Sequence, residues 1–117
     1  MRGVDVRVIL DQSQESAPYS LLPELLAFGF TSFGSADDTL RVDDKHAIHH
    51  NKVMIRDGGF PDMAAHENGS FNFSEAAQTS NAENAQVTEG FPEATGFLLD
   101  DWRRHWAHSR PVRLRRK

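Results

Sequence analysis

Apolar and polar residues alternate at the start of the chain, where valines at every second position of residues 4–8 are separated by charged residues. This period of two predicts a β-strand that continues to Leu10, because successive side chains of a strand point to opposite faces. Further along, leucines with helical spacing follow Ser20 and predict a short helix that ends at Gly29.

The middle of the chain predicts further short strands separated by irregular segments. Residues 39–42 and 48–56 have strand patterns, and the second strand ends at the turn sequence Asp-Gly-Gly. No regular pattern is visible over residues 60–68. After that segment, residues 69–73 have an extended pattern and residues 82–87 form a weak final strand.

Two further helices are predicted, a short one that begins at Ser74 and a longer one that begins at Pro92. One side of the longer helix is apolar, so it is expected to pack on the sheet. That side carries Phe97, Leu98, Trp102 and Trp106. Because strands and helices alternate along the chain, the predicted fold class is α/β.

Composition limits the protein to one domain with a modest core, since the chain has 117 residues and no apolar run near the ~20 residues of a membrane span. The absence of cysteine excludes disulfides and thiolate chemistry. The net charge of −4 hides an asymmetry, because residues 101–117 carry seven bases and one acid, a net +6, and the remainder carries −10. The prediction is a domain over residues 1–108 and a basic, disordered tail over 109–117, which either solubilises the chain or aids binding to nucleic acid.

Residues with the chemistry to bind and attack a phosphate lie on two of the predicted strands. Side chains two apart on a strand share a face, so His50 and Lys52 are expected to point the same way, as are Ser70 and Asn72. If the two strands are neighbours, an imidazole, an ammonium, a hydroxyl and an amide converge on one patch. A neutral imidazole can attack phosphorus and a protonated one can protonate a leaving oxygen, so this patch is suited to phosphate chemistry.

These residues belong to a longer motif with regular spacing. It consists of His50-x-Lys52, Asp57, Gly69-Ser70-x-Asn72 and Glu83. The motif resembles the HKD signature of the phospholipase D superfamily. The flanks over residues 44–55 and 69–77 are similar to those of small bacterial endonucleases in that superfamily, which carry one motif per chain. The resemblance covers most of residues 3–106 and implies a phospholipase D-like α-β-α sandwich with a central mixed sheet.

The resemblance also implies a role for each residue of the motif. His50 matches the nucleophile that forms a phosphohistidine, and Glu83 matches the carboxylate that orients it. Lys52 and Asn72 match the residues that bind the phosphate oxygens and stabilise the charged transition state. Two residues match supporting positions, the accessory hydrogen-bonding Ser70 and the mainly structural Asp57. No cofactor is implied, because lysine and histidine supply the positive charge.

The implied activity is that of a metal-independent nuclease that hydrolyses DNA or RNA. The family site combines two motifs and this chain has one, so the resemblance predicts a symmetric homodimer. Two alternatives stay open, a phospholipase D-type phospholipid hydrolase and an inactive, truncated remnant that at most binds nucleic acid. The remnant is considered because family members have an extra strand and helix before residues 4–10. In addition, eleven residues separate Asp57 from Gly69, more than family members have there.

No signal peptide is predicted in this chain, because the first residues lead directly into a strand. A missing N-terminal segment would allow a periplasmic or secreted location; otherwise the expected location is cytoplasmic.

Three histidines close together, His46, His49 and His50, raise the possibility of a metal site. His46 and His50 are four apart, a spacing that suits a helix, but residues 48–56 have a strand pattern. No carboxylate or thiolate completes a ligand set at a suitable spacing, so no metal site is predicted. His105 and His108, on the last helix, are predicted to be solvated.

Overall fold

The computed structural model describes residues 3–45, 52–58, 60, 62–69 and 85–114. Strands and helices alternate, which confirms the predicted α/β class. The chain divides into two compact units, residues 1–50 with 104–117 and residues 51–103. The elements are β1 (Val8–Asp11), a 3-10 helix (Gln12–Glu15), α1 (Leu22–Ala27), β2 (Leu40–Asp43), β3 (Val53–Arg56), β4 (Ala65–Gly69), β5 (Ala85–Glu89) and α2 (Pro92–His108).

The first unit contains a two-stranded parallel sheet. β1 pairs with β2 in a register that runs from Val8↔Leu40 to Asp11↔Asp43. A parallel pair needs a long crossover connection, and here the segment between the strands includes α1. Leu40 and Val42 of β2 are fully buried, and Leu22 of α1 is 1% exposed, so these side chains form the core of this unit.

The first strand is shorter than the alternation predicts. Pairing begins at Val8, whereas Val4 and Val6 are 63% and 49% exposed. The partner strand β2 begins at Leu40, so in the described ranges no strand residue lies opposite the valines that precede Val8. An alternating pattern predicts an extended backbone, but whether each residue pairs in a sheet also depends on the length of the neighbouring strand.

The second unit contains a three-stranded antiparallel sheet in the order β3-β4-β5. The prediction that residues 60–68 are irregular is wrong for their last part, because β4 begins at Ala65. Its sequence, Ala-His-Glu-Asn-Gly, contains no β-branched residue, and pairing with a neighbour on each side stabilises it instead. The β3–β4 hairpin is therefore present, and its long connection is held by Arg56, whose guanidinium donates to the Met63 carbonyl at 3.3 Å.

Helix α2 is joined to this sheet by a buried polar contact. His66 Nδ1 and Thr95 Oγ1 lie 2.8 Å apart, and the two residues are 7% and 0% exposed. The apolar side predicted for this helix is correct for Leu98, which is half-buried, but Phe97 is 73% exposed. The prediction is wrong for Phe97. The position that faces the sheet is occupied by Thr95, whose hydroxyl makes a hydrogen bond with His66 of β4.

Replacing Thr95 by valine, which keeps the shape and removes the hydroxyl, tests this contact. We expect the free energy of unfolding to fall by about 1–3 kcal/mol, because the buried His66 ring loses a hydrogen-bond partner. Urea unfolding followed by circular dichroism measures the change. Thr88→Val on β5 is the matched control and should stay within about 0.5 kcal/mol of the native chain. Equal stability of the two variants would contradict the proposed contribution of this hydrogen bond.

The segment after α2 continues along β2. Arg110 and Val42 exchange two backbone hydrogen bonds of 2.9 Å, and Val112 N–H donates to Ser32 Oγ at 2.8 Å. Because of these hydrogen bonds, Arg110 to Leu114 differ from the disordered tail that composition suggests. The positive charge of Arg110 is also paired with the buried Glu15.

No helix within the described ranges combines the length and the apolar character needed to cross a bilayer.

Candidate active site

The structure describes two of the six residues that the sequence assigns to the site. Lys52 and Asp57 are described. The other four motif residues, His50, Ser70, Asn72 and Glu83, lie outside the described residues, as do His46 and His49.

Lys52 directly precedes β3 and is half-buried. Along β3 the side chains alternate as predicted, with Val53 and Ile55 half-buried and with Met54 and Arg56 exposed. Continuing this alternation by one residue places Lys52 on the same sheet face as Met54 and Arg56. The motif lysine is therefore on the face opposite the one to which His66 and Thr95 contribute, since His66 pairs with Ile55.

Three strand ends meet beside Lys52. Val53 pairs with Asn68, so the same antiparallel register places Lys52 opposite Gly69. Gly69 in turn pairs with Ala85, the first residue of β5. The beginning of β3, the end of β4 and the beginning of β5 thus lie together at one end of the second sheet.

Asp57 directly follows β3 and begins the hairpin connection. Its φ of 50° lies in the left-handed region, which aspartate tolerates better than most residues, and its carbonyl accepts the Phe60 N–H at 2.9 Å. The next residue, Gly58, packs so closely that an added Cβ would lie 2.9 Å from Leu99 Cδ2 and 3.2 Å from Ile55 Cγ2. This geometry fits a structural role for Asp57 in shaping the turn after the motif strand.

A carboxylate that the sequence analysis missed lies beside these strand ends. Glu67, on β4, pairs with Met54 on β3 and with Val87 on β5, so it shares the sheet face inferred for Lys52. Both carboxylate oxygens are shielded from solvent and have no hydrogen-bond partner among the residues that the structure describes. In the sequence, Glu67 lies two residues before the Gly-Ser of the motif. That position indicates a shared sheet face only if residues 65–69 are recognised as a strand.

A second cluster of titratable side chains lies in the first unit. The Asp43 Oδ2 atom is 3.6 Å from His105 Nδ1 and 3.3 Å from His108 Nε2. Asp43 is fully buried, and the two histidine side chains are 19% and 21% exposed. Neither histidine is solvated as predicted, because the antiparallel contact of Val42 with Arg110 brings the end of α2 beside β2.

Comparison with known proteins identifies the class to which this fold and motif belong. Residues 1–106 match the family described as cardiolipin synthase, PLD-like domain. The chain is 37% identical over 98 residues to phospholipase D of Rickettsia felis, covering 84% of this chain and 42% of the relative. It is 34% identical over 109 residues to phospholipase D of Rickettsia typhi, covering 93% and 47%.

A solved structure gives the same assignment. The crystal structure of Nuc from Salmonella typhimurium, a phospholipase D family member, aligns with a TM-score of 0.77 and 33% identity, covering 96% of this chain and 66% of that chain. The chain therefore belongs to the phospholipase D superfamily and has its α/β fold, which confirms the predicted family and fold class. It spans less than half the length of the two curated relatives and about two thirds of the Nuc chain.

Proposed function

We propose that this chain carries the catalytic motif of a metal-independent nuclease, which hydrolyses DNA or RNA phosphodiester bonds through a phosphohistidine on His50. One observation carries the proposal. The strand ends at Lys52, Gly69 and Ala85 lie together, and each of the other motif residues except Asp57 is one to three positions along the chain from one of them. Those residues are His50, Ser70, Asn72 and Glu83.

The order of the strands brings together the groups that the proposed reaction needs. In an antiparallel sheet, polar residues that leave neighbouring strands at the same end approach one another in space. Here the three ends lead to the imidazole of His50, to the amide of Asn72 and to the carboxylate of Glu83. This is the mixture of nucleophile, neutral donor and orienting carboxylate that phosphoryl transfer to histidine needs.

The proposed reaction has two displacement steps at phosphorus. In the first, an imidazole nitrogen of His50 forms a bond to phosphorus while the bond to the leaving oxygen breaks, and that oxygen takes a proton from an imidazolium. In the second, water attacks the phosphohistidine, gives its proton to the now neutral imidazole and releases His50. Lys52 and Asn72 stabilise the charge that develops on the phosphate oxygens in both steps.

These 117 residues hold one motif histidine, whereas the two steps need a nucleophile and a separate acid. We therefore assign the acid to the partner subunit's His50 in a symmetric homodimer, where the same surface of each copy meets at the two-fold axis. This proposal rests on the single motif in the 117 residues.

A phospholipid is the second candidate substrate. The similarity to Nuc favours nucleic acid, while the curated relatives are named phospholipase D. Both substrates contain a phosphodiester, so the same site chemistry serves either one. The third candidate, an inactive remnant, is considered because eleven residues separate Asp57 from Gly69, more than the resemblance leads one to expect there.

The deciding experiment compares hydrolysis of plasmid DNA, RNA and phosphatidylcholine vesicles by the native chain in EDTA. We expect cleavage of nucleic acid at a rate unaffected by EDTA, at a temperature where circular dichroism shows that the chain stays folded. Sedimentation in the same buffer should show a dimer. Faster hydrolysis of the vesicles would favour the lipid substrate, and a folded monomer that cleaves none of the three would favour the inactive remnant.

A further inference from the structure

The cluster of Asp43, His105 and His108 in the first unit contains none of the motif residues, and we propose that it binds a zinc ion. The three side chains each offer one ligand atom, and these atoms all lie within 4.8 Å of one another. Two imidazole nitrogens and one carboxylate oxygen form a ligand set that zinc uses in proteins, with water in the fourth position.

The distances fit a tetrahedral ion. Zinc–ligand bonds of about 2.0–2.1 Å place any two ligand atoms of a tetrahedron roughly 3.3 Å apart. The observed separations from Asp43 Oδ2 are 3.3 Å to His108 Nε2 and 3.6 Å to His105 Nδ1. The two rings meet edge to face, with centroids 5.2 Å apart and an interplanar angle of 79°. An ion would therefore meet side chains that already converge.

Hydrogen bonds of the backbone hold the three ligands in place. Lys45 N–H donates to Asp43 Oδ1 at 3.0 Å, which orients the carboxylate so that Oδ2 faces the histidines. The paired hydrogen bonds between Val42 and Arg110 fix the strand residue next to Asp43 against the chain two residues beyond His108. Such outer contacts reduce the cost of ordering the ligands when a metal ion binds.

The electrostatic environment favours a cation at this position. Asp43 is fully buried, so its negative charge acts in a poorly screened environment. His108 is the last residue of α2, where the partial negative charge of the helix C-terminus adds to that field. The imidazole ligands select zinc and similar transition metals over magnesium and calcium, which prefer sets of oxygen ligands.

A zinc ion here would link two distant parts of the sequence. Asp43 ends β2, and the two histidines lie in the last turns of α2, more than 60 residues later. The ion would therefore brace the first unit, and zinc binding does not depend on the chemistry proposed for His50.

Metal binding is tested on the untagged full chain after removal of metal with a chelator. Titration with ZnCl₂ by calorimetry should show one equivalent bound per chain, and zinc should raise the melting temperature by mass action. Cobalt substitution should give the visible absorption of a tetrahedral site. His105→Ala and His108→Ala should each weaken binding by about 10-fold or more, because each removes a ligand.

The matched control is the double variant His46→Ala/His49→Ala, which removes two other imidazoles and should bind zinc as the native chain does. Loss of binding in this control, or undiminished binding in His105→Ala/His108→Ala, would overturn the proposal. X-ray absorption of the zinc-loaded native chain provides a test that does not depend on the folding of a variant. We expect two imidazoles and one carboxylate around the metal, and a native chain that binds no zinc or shows another protein ligand set would also overturn it.

Discussion

His50→Ala is expected to lower the rate of phosphodiester hydrolysis by about 10⁴-fold or more, the scale seen when a catalytic nucleophile is removed. Alanine cannot form the bond to phosphorus, so no covalent intermediate can accumulate. In a symmetric dimer the same substitution removes the acid that protonates the leaving oxygen. A single change thus eliminates two catalytic groups from the site, which is why its effect should exceed that of any other substitution in the motif.

The measurement is single-turnover cleavage of a labelled oligonucleotide in EDTA, with acid and base quenches that distinguish a phosphohistidine from other phosphorylated products. His49→Ala is the matched control, because it removes the adjacent imidazole, which the sequence pattern predicts to face away from His50. We expect the control to keep its activity within a few-fold of the native chain. A His50→Ala variant that cleaves as fast as the control would refute the nucleophile assignment.

The sequence was sufficient to predict the family, the α/β class and most of the elements that carry the motif. The alternation of Val53 to Arg56 places Val53, Ile55 and Arg56 in the environments that their polarity favours, whereas the apolar Met54 is exposed. The motif itself could be recognised because its residues are close together in sequence, and local spacing survives when the rest of a sequence diverges. The same information left β4 unpredicted, since the strand is stabilised by pairing on both edges and not by its own residues.

Contacts between distant parts of the chain explain the remaining differences. Asp43 lies more than 60 residues from His105 and His108, so no spacing rule connects them, and the pairing of Val42 with Arg110 helps to bring them together. Glu67 is informative only once β4 is known to be a strand. In each case the prediction requires knowing which strands and helices are neighbours. A single sequence without a strong local pattern does not contain that information.

Arg110 is a further example of a long-range contact. Composition assigned this residue to a basic tail and gave no indication of its structural role. Its guanidinium pairs with both carboxylate oxygens of Glu15, at 2.6 Å and 2.9 Å, and with Asp44 Oδ2 at 2.6 Å. The side chain of Glu15 is 1% exposed, and it also accepts the backbone N–H of Arg113. The hydrogen bond to Glu15 raises the pKa of Arg110 further above its usual range, despite the opposing effect of burial, so the guanidinium stays charged.

Arg110→Met is therefore expected to lower the free energy of unfolding by about 3–5 kcal/mol, because it leaves the carboxylate of Glu15 buried without its cation. The double variant Arg110→Met/Glu15→Gln should recover most of that loss, since glutamine removes the buried charge and still accepts the Arg113 N–H. Arg113→Met removes an equal charge from an exposed side chain of the same segment and should change stability by about 0.5 kcal/mol or less. Urea unfolding of the four chains separates a specific buried pair from a general effect of charge. Equal losses in Arg110→Met and Arg113→Met, or a double variant no more stable than Arg110→Met, would show that the ion pair does not anchor this segment.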